Sequence, residues 1–302
     1  MPDTPEISQD TPLVPTNQQE KLLETAMEIY LYPAGPEDTG YLARSLIMAT
    51  LPHSNSKTNQ FTRINGNHTL TVTALSPGIG LPYGTYPRLI LVWICTEVKR
   101  TRSPELVLGK SLVDFMDQLG LQATGGRWGT IPQLKKQMER LLKCSFFIDY
   151  REDKGTAFLT MNVAQHAALY WNPKDADEKC LFNSTLTLHP AFFAEIMAHP
   201  IPFDIRALNA LKGSALALDI YPWLAYRIHR LNRHKDTTEI RWRQLANQFG
   251  SDYPDDAQGL RNFKRHYLVQ MKKVAILYPD LIWEVGDVGL VLRPSPTPIH
   301  SL

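Results

Sequence analysis

The segment from Thr130 to Cys144 limits the possible folds more than any other, because it predicts a short helix with one apolar and one basic face. The apolar residues recur at intervals of three and four, the period of a buried helical stripe; they are Ile131, Leu134, Met138 and Leu141. The residues that recur in the same way on the other side are Gln133, Lys136, Gln137 and Arg140. Thr130 is a suitable N-cap with a glutamine three residues later, so the helix is predicted to begin at Ile131.

A basic face opposite an apolar stripe has two interpretations. It is usually no more than a solvated helix surface, but it is also what a helix presents to the phosphates and base edges of DNA. The segment from Leu260 to Ile276 also predicts a helix with one apolar and one basic face, and it contains no acidic residue. This second occurrence favours DNA binding over a solvated surface. The basic residues that lie together on its helical wheel are Arg261, Lys264, Arg265 and Lys272, and the core-facing residues are Phe263, Tyr267, Met271 and Val274.

The sequences around each basic helix follow one order. Before the first lies a short helix from Ser111 to Gly120, with Ser111 as N-cap, Asp114 at the capping-box position and Gly120 as a C-terminal glycine. After it come two alternating apolar runs joined by a turn at Asp153, Lys154 and Gly155, which predict a hairpin. Helix, helix and hairpin is the order of a winged helix.

The second basic helix has the same surroundings. A helix from Glu239 to Gly250 precedes it, and a hairpin with a turn at Gly286 and Asp287 follows. The prediction is therefore a helix-rich α+β chain with two winged-helix domains in tandem. The predicted domains are an acidic, partly disordered N-terminal arm at 1–40, a first winged-helix domain at 41–190 and a second at 191–302. Within the arm, an amphipathic helix is predicted from Gln19 toward Tyr32.

The formal charge of +2 hides an asymmetry along the chain. Residues 1–40 contain eight acidic residues against Lys21 alone, a net charge of −7, which leaves +9 for the rest of the chain. A basic body is attracted to a polyanion, and phosphate contacts make such binding fall with salt. The acidic arm either screens that body or serves as an interaction or dimerisation segment.

Other sequence features exclude several classes. Cys95, Cys144 and Cys180 are far apart, so we expect reduced thiols and no zinc site. There is no membrane-spanning run and no signal-peptide pattern, which predicts a cytoplasmic protein. Gly109-Lys110-Ser111 resembles the end of a phosphate-binding loop, but Pro104 occupies the required upstream glycine position. The glycines of residues 76–84 are out of register for a dinucleotide fingerprint. We therefore expect no catalytic residues, no cofactor and no metal.

Three segments carry a resemblance to a known family. They are residues 81–121, with Pro82-Tyr83-Gly84 and Tyr86-Pro87-Arg88; residues 124–146, with Gly125-Gly126 before the basic helix; and residues 199–231, with Ala217-Leu218-Asp219-Ile220-Tyr221. Together they resemble the plasmid-encoded RepA replication initiator family over about Leu81 to Val291. The resemblance implies a bacterial cytoplasmic protein with two winged-helix domains that bind repeated origin sites, called iterons. It also implies help from the host initiator and helicase, a balance between monomer and dimer, and repression of its own gene.

The predicted mode of binding places each basic helix in a major groove of double-stranded DNA, with the two grooves roughly 34 Å apart. Arginine is suited to guanine and glutamine to adenine, whereas lysine more often holds phosphate. Arg127 and Trp128, in the loop before the first basic helix, are expected to contact the DNA backbone. The predicted DNA-binding residues are Arg127, Thr130, Gln133, Lys136, Gln137, Arg140, Arg261, Lys264, Arg265 and Lys272.

Two other classes stay open. A winged-helix transcriptional repressor would bind an inverted-repeat operator and have no role in replication. A replication enzyme, such as a nickase or a primase, would need a pair of metal-binding histidines or an acidic motif, and neither pattern is present. His229 and His234 lie among arginines, which favours solvent or phosphate contacts for them over metal binding.

Overall fold

The computed structural model describes residues 16–152, 155–172, 175–181, 183–250 and 252–299. The predicted disorder at the start of the arm and the turn residues Asp153 and Lys154 lie outside these ranges. The helices are α1 (Asn17–Leu31), α2 (Arg44–Met48), α3 (Thr85–Thr101), α4 (Leu112–Gln118), α5 (Thr130–Leu142), α6 (Pro190–Ala198), α7 (Ile205–Ala210), α8 (Ala215–His234), α9 (Trp242–Phe249) and α10 (Ala257–Leu277).

Within the described ranges, the strands form four antiparallel sheets, in the orders β1-β9, β2-β3-β5-β6, β4-β8-β7 and β10-β12-β11. Their bounds are β1 (Thr39–Ala43), β2 (Gln60–Asn65), β3 (His68–Ala74), β4 (Glu105–Gly109), β5 (Cys144–Glu152), β6 (Gly155–Asn162), β7 (Ala164–Ala168), β8 (Ser184–Leu188), β9 (Pro200–Asp204), β10 (Thr238–Arg241), β11 (Trp283–Val285) and β12 (Gly289–Leu292). The prediction of a mixed fold that contains more helix than strand is confirmed.

The first helix–helix–hairpin unit consists of α4, α5, β5 and β6. Ser111 Oγ accepts a hydrogen bond from the N–H of Asp114 at 3.0 Å, and the Asp114 carboxylate accepts one from the N–H of Ser111 at 3.2 Å. This capping box begins α4 as predicted, and Gly120 follows the helix with a φ of 63°. Strands β5 and β6 then pair in register out to Glu152 and Gly155.

The second unit consists of α9, α10, β11 and β12. Helix α10 begins at Ala257, earlier than the sequence predicted, because Asp256 acts as its N-cap and accepts the N–H of Gly259 at 2.6 Å. Strand β12 pairs with β11 and also with β10, which precedes α9 in the chain. The unit therefore closes on a three-stranded sheet.

One continuous hydrophobic core underlies both units. Helix α8 packs against α2, α3, β9 and α10. Strand β1 pairs with β9, so a two-stranded sheet joins residues on both sides of position 190. Helix α1, at the predicted amphipathic segment, buries Leu22 and packs against α7 and α10. Within the described ranges, none of the helices has the length and hydropathy that crossing a bilayer requires.

Candidate nucleic-acid interface

Helix α5 begins one residue before the predicted start, with Gly129 as N-cap and Thr130 inside the first turn. The Thr130 hydroxyl donates to the carbonyl of Gln122 at 2.6 Å and accepts the N–H of Thr124 at 2.9 Å. The prediction that Thr130 caps the helix is therefore wrong in detail. Its side chain instead ties the preceding loop to the start of α5.

Two of the four residues predicted for the exposed face of α5 are buried. Gln137 is 2% exposed, and its Oε1 accepts the backbone N–H of Tyr83 at 2.9 Å. Arg140 is 7% exposed, and its Nη1 donates to the carbonyl of Leu81 at 3.0 Å. The guanidinium group also lies 5.2 Å from the centre of the Tyr83 ring. The prediction of exposure was wrong for these two residues, because the loop before α3 covers that side of the helix.

At Gly80, that loop lies close to the Arg140 side chain. A Cβ atom there would lie 3.3 Å from Arg140 Nη2, and the backbone has a φ of 75°. Both the contact and the positive φ favour glycine. The glycine-rich segment that failed as a dinucleotide fingerprint therefore covers Arg140, and Leu81 and Tyr83 supply the backbone groups that hold the helix.

The exposed residues of α5 are Lys136 and Glu139, and the Glu139 carboxylate pairs with Lys143. Gln133 is partly exposed, and the apolar residues Leu134, Met138 and Leu141 are buried as predicted. The loop before the helix adds Arg127, whose guanidinium carbon lies 5.2 Å from the ring centre of Trp128. The Trp128 side chain is 81% exposed. The Arg127 cation and the Trp128 ring are therefore both exposed to solvent just before the start of the helix.

Helix α10 presents its basic face as predicted. Phe263, Tyr267, Met271 and Val274 are each 0% exposed, which confirms the core-facing stripe. The exposed basic residues on the other side are Arg261, Arg265 and Lys272. Spacings of four and seven residues place these three side chains along one side of the helix.

Two residues that the sequence analysis did not single out orient this basic face. Gln258 Oε1 accepts hydrogen bonds from Arg261 Nη2 at 2.6 Å and Nε at 3.2 Å. The Nζ atom of Lys264 lies 4.8 Å from the ring centre of Trp242 on α9, so Lys264 is partly buried. The spacing of three residues could have identified Gln258. The Trp242 contact joins two helices and has no local sequence signal.

Two of the three cysteine thiols are buried. Burial raises the pKa of the Cys95 and Cys144 thiols to about 12, so both are protonated at neutral pH. Among the residues that the structure describes, no group of three or more His, Cys, Asp and Glu side chains could hold a metal ion. Ser111, at the end of the rejected phosphate-loop pattern, is 0% exposed and caps α4.

A comparison of sequences links the chain to one family. The model of the family described as plasmid encoded RepA protein matches residues 81–244, from the loop that covers Arg140 to the first turn of α9. No curated protein matches the chain.

Comparison of structures gives a likeness to RctB. The crystal structure of selenomethionine derivatives of domains 2 and 3 of RctB has a TM-score of 0.50 and 10% sequence identity. The match covers 82% of this chain and 97% of that one. A second structure, of RctB domains 2–3, has a TM-score of 0.47, 10% identity and coverage of 82% and 96%. At this level of identity, the first likeness concerns the fold alone.

Proposed function

Because this chain belongs to the plasmid-encoded RepA family, whose model matches more than half of its length, we propose that it is a replication initiator that binds repeated origin sites in double-stranded DNA. The observation that supports this proposal most directly is the exposed basic face of α10, with Arg261, Arg265 and Lys272 on one side of a helix whose other side is buried. Phosphate contacts from such a face supply affinity that falls with salt.

The repetition of one arrangement supports binding by two winged-helix domains in tandem. In each unit a helix precedes a helix with exposed basic residues, and a hairpin follows. In this proposal α5 and α10 each enter a major groove, and the two grooves are roughly 34 Å apart. One chain would then cover two turns of a direct repeat.

We assign the proposed DNA contacts to the side chains that are exposed or partly exposed to solvent. On α10, Arg261 and Arg265 reach base edges or phosphates, and Lys272 holds phosphate. Lys264, beside Trp242, contributes charge from a partly buried position. In the first unit, Arg127, Gln133 and Lys136 make the contacts. Because Thr130, Gln137 and Arg140 are held by loop backbone, we assign them to positioning α5.

Later steps belong to the same proposal. Binding to an array of repeats would strain the origin so that an adjacent A·T-rich segment opens, and the host initiator and helicase would follow. A dimer in equilibrium with a DNA-binding monomer would set the active concentration. Repression of its own gene would be an additional activity in the bacterial cytoplasm. If the origin segment stays unreactive to single-strand probes with host factors present, the opening step is wrong.

The test is a footprint of the full chain on the noncoding DNA of its own replicon. Arg265→Ala on α10 and Lys136→Ala on α5 are compared with Arg100→Ala, which removes an exposed arginine from α3. Protection of regularly phased direct repeats, weakened by the first two changes only, supports the proposal. A single inverted repeat would favour a transcriptional repressor, and no protection would refute DNA binding at these helices.

A further inference from the structure

A groove of about 430 Å³ lies between strand β2 and the segment that runs from α9 to the first turn of α10. Strand β2 is at the edge of the sheet that contains the hairpin of the first unit, whereas α9 and α10 belong to the second unit. The groove therefore lies where the two units meet. Arg261, Arg265 and Lys272, the exposed basic residues of α10, do not line it.

Arg63 on β2 places a guanidinium group in the wall of this groove. Arg63 and Phe61 are two residues apart and so share a face of the strand, and the guanidinium carbon lies 5.1 Å from the centre of the Phe61 ring. The Nη1 atom donates to the carbonyl of Asn247 on α9 at 3.5 Å. Because Phe61 and Asn247 both line the groove, the guanidinium group lies between its two sides.

The Arg63 side chain is buried but lacks most of the partners that its N–H groups require. The residue is 3% exposed, and its Nε and Nη2 atoms have no hydrogen-bond partner among the described residues. The bond to Asn247 is longer than an ordinary hydrogen bond of this type. Arg88, which is buried to a similar degree, makes five hydrogen bonds. The unpaired donors of Arg63 are therefore not a general property of buried arginines in this fold.

The positive charge of Arg63 has no counter-ion in contact with it. Burial lowers the pKa of Arg63 to about 10, so the group is still charged at neutral pH. Asp219 and Asp252 are close enough to oppose this shift, but within the described ranges neither forms an ion pair with Arg63. Among the described residues that line the groove, Asp255 is the only carboxylate, and it pairs with Arg243. The lining therefore has an excess of one positive charge.

The α9–α10 side of the groove is largely apolar. Tyr253 packs edge-on against Phe263, with ring centres 5.6 Å apart, and both rings line the groove together with Leu260. The Tyr253 hydroxyl is already bonded to His266 Nδ1 at 2.5 Å. Small-molecule sites commonly combine such an apolar lining with a few polar groups that fix the orientation of the ligand. A buried charge without a counter-ion is costly, and an anionic ligand would offset that cost.

We infer that this groove binds a small organic anion, whose phosphate or carboxylate group pairs with Nε and Nη2 of Arg63 and whose apolar part packs on Tyr253. Two adjacent guanidinium N–H groups match the two oxygens of such an anion. The inference does not depend on the proposed function, and the ligand that it assigns is not a nucleic acid. Because Gly259 and Leu260 line the groove, the ligand would contact the first turn of α10.

The test is isothermal titration calorimetry of the full chain with phenyl phosphate, benzoate, inorganic phosphate and the uncharged benzyl alcohol. Phenyl phosphate or benzoate should bind at one site per chain, and the tighter of the two identifies the anionic group. Benzyl alcohol should not bind. Inorganic phosphate should bind more weakly than phenyl phosphate, and equal affinities would overturn the assignment of an organic anion.

Arg63→Met should weaken binding of the organic anion roughly ten- to 100-fold, the equivalent of one lost hydrogen bond between charged groups. Without ligand, the variant should be as stable to urea as the unchanged protein or more stable, because it removes a buried charge that has no counter-ion. An arginine with only a structural role would give the opposite result, a loss of stability. Equal affinity of the variant and the unchanged protein, or no binding of either organic anion, would overturn the inference.

A second variant tests the groove without altering Arg63. Ala246→Leu adds bulk to the α9 side of the lining and should also reduce binding, so the inference can be tested even if Arg63→Met does not fold. Arg100→Met, which removes an arginine that is 63% exposed on α3, should bind the ligand as the unchanged protein does. Circular dichroism checks the fold of all three variants.

Titration of duplex DNA that contains the repeats separates this site from a DNA contact. Arg63→Met should keep its affinity for the duplex, because a side chain that is 3% exposed is not accessible to the phosphates of a rigid double helix. If the variant loses duplex affinity by the same factor as it loses affinity for the organic anion, the groove is a phosphate contact of DNA and the inference is wrong.

Discussion

The guanidinium group of Arg88 on α3 forms a two-point pair with the carboxylate of Asp219 on α8, with both N–O distances at 2.7 Å. The remaining N–H groups of Arg88 donate to the carbonyls of Leu51, Pro52 and Gly84 at 2.7 to 3.1 Å. All five donors of the guanidinium group are therefore satisfied. The side chains of Arg88 and Asp219 are 7% and 8% exposed, so the pair joins two buried helices and two loops.

Asp219→Ala should lower the free energy of unfolding by about 3–5 kcal/mol, because it leaves the buried Arg88 charge without its carboxylate. Urea unfolding measures the loss. Arg100→Ala, which breaks the exposed pair with Glu97, should change the same quantity by less than about 0.5 kcal/mol. A similar small change for Asp219→Ala would contradict a structural role for the pair.

His53 should make stability fall as the solution becomes acidic. Burial lowers the pKa of His53 below its ordinary value of 6.5, and nearby Arg88 adds to this, although the hydrogen bond to Asp219 partly offsets both. The unfolded chain therefore binds a proton at His53 more readily than the folded chain does, so stability is lost as the pH falls below 6.5. The urea concentration at the midpoint of unfolding should therefore be lower at about pH 5.5 than at about pH 7.5.

The control for this pH effect is His53→Gln, which cannot titrate. Its urea midpoint should change less over the same interval, even if the variant is less stable at both ends. A pH dependence identical to that of the unchanged protein would assign the effect to other histidines. The pKa of Asp219 lies below its usual range, because Arg88 and the His53 hydrogen bond outweigh the opposing effect of burial, so Asp219 titrates only at much lower pH.

Substitutions of Arg140 and Lys136 should have different effects, the first on stability and the second on DNA binding. Arg140→Ala removes the bond to the Leu81 carbonyl and should cost about 1–3 kcal/mol of stability. Lys136→Ala removes an exposed charge, so it should weaken DNA binding and leave stability within about 0.5 kcal/mol. Urea unfolding and DNA titration of both variants measure this. If Arg140→Ala folds normally and loses affinity only for its cognate repeat, Arg140 reads a base.

The salt dependence of binding should identify phosphate contacts on α10. Replacing Arg265 or Lys272 by alanine should reduce the slope of log affinity against log salt by about 0.9 for each phosphate contact that is lost. Titrations of a repeat-containing duplex at several salt concentrations give the slope. Arg100→Ala is again the matched control, and a slope that none of the three changes alters would place the phosphates elsewhere.

The sequence predicted the elements whose signals are local. The capping box of Ser111 and Asp114 and the buried stripe of α10 depend on spacings of three and four residues, which the helix itself imposes. The hairpin β5–β6 follows from alternation in two adjacent runs. These patterns need no knowledge of the rest of the fold.

The predictions of exposure that were wrong concern residues that contact segments distant in the sequence. Gln137 and Arg140 are held by Tyr83 and Leu81, which are 54 and 59 residues away in the chain. Helical periodicity describes the faces of α5 but not the loop that covers one of them. Similarly, Arg88 and Asp219 each lie in a segment that resembles the RepA family, and only the structure brings them together.

Helix α8 packs against α10 of the second unit and against α3, and α3 packs against α5 of the first. Because these helices share one continuous core, the spacing between α5 and α10 is a fixed length. If both helices occupy one repeat, a base pair inserted between their contacts would rotate the second contact by roughly 34–36°. A rigid protein cannot follow that rotation, and the strain would be stored as twist in the DNA. The protein would then measure the helical phase of its site as well as its sequence.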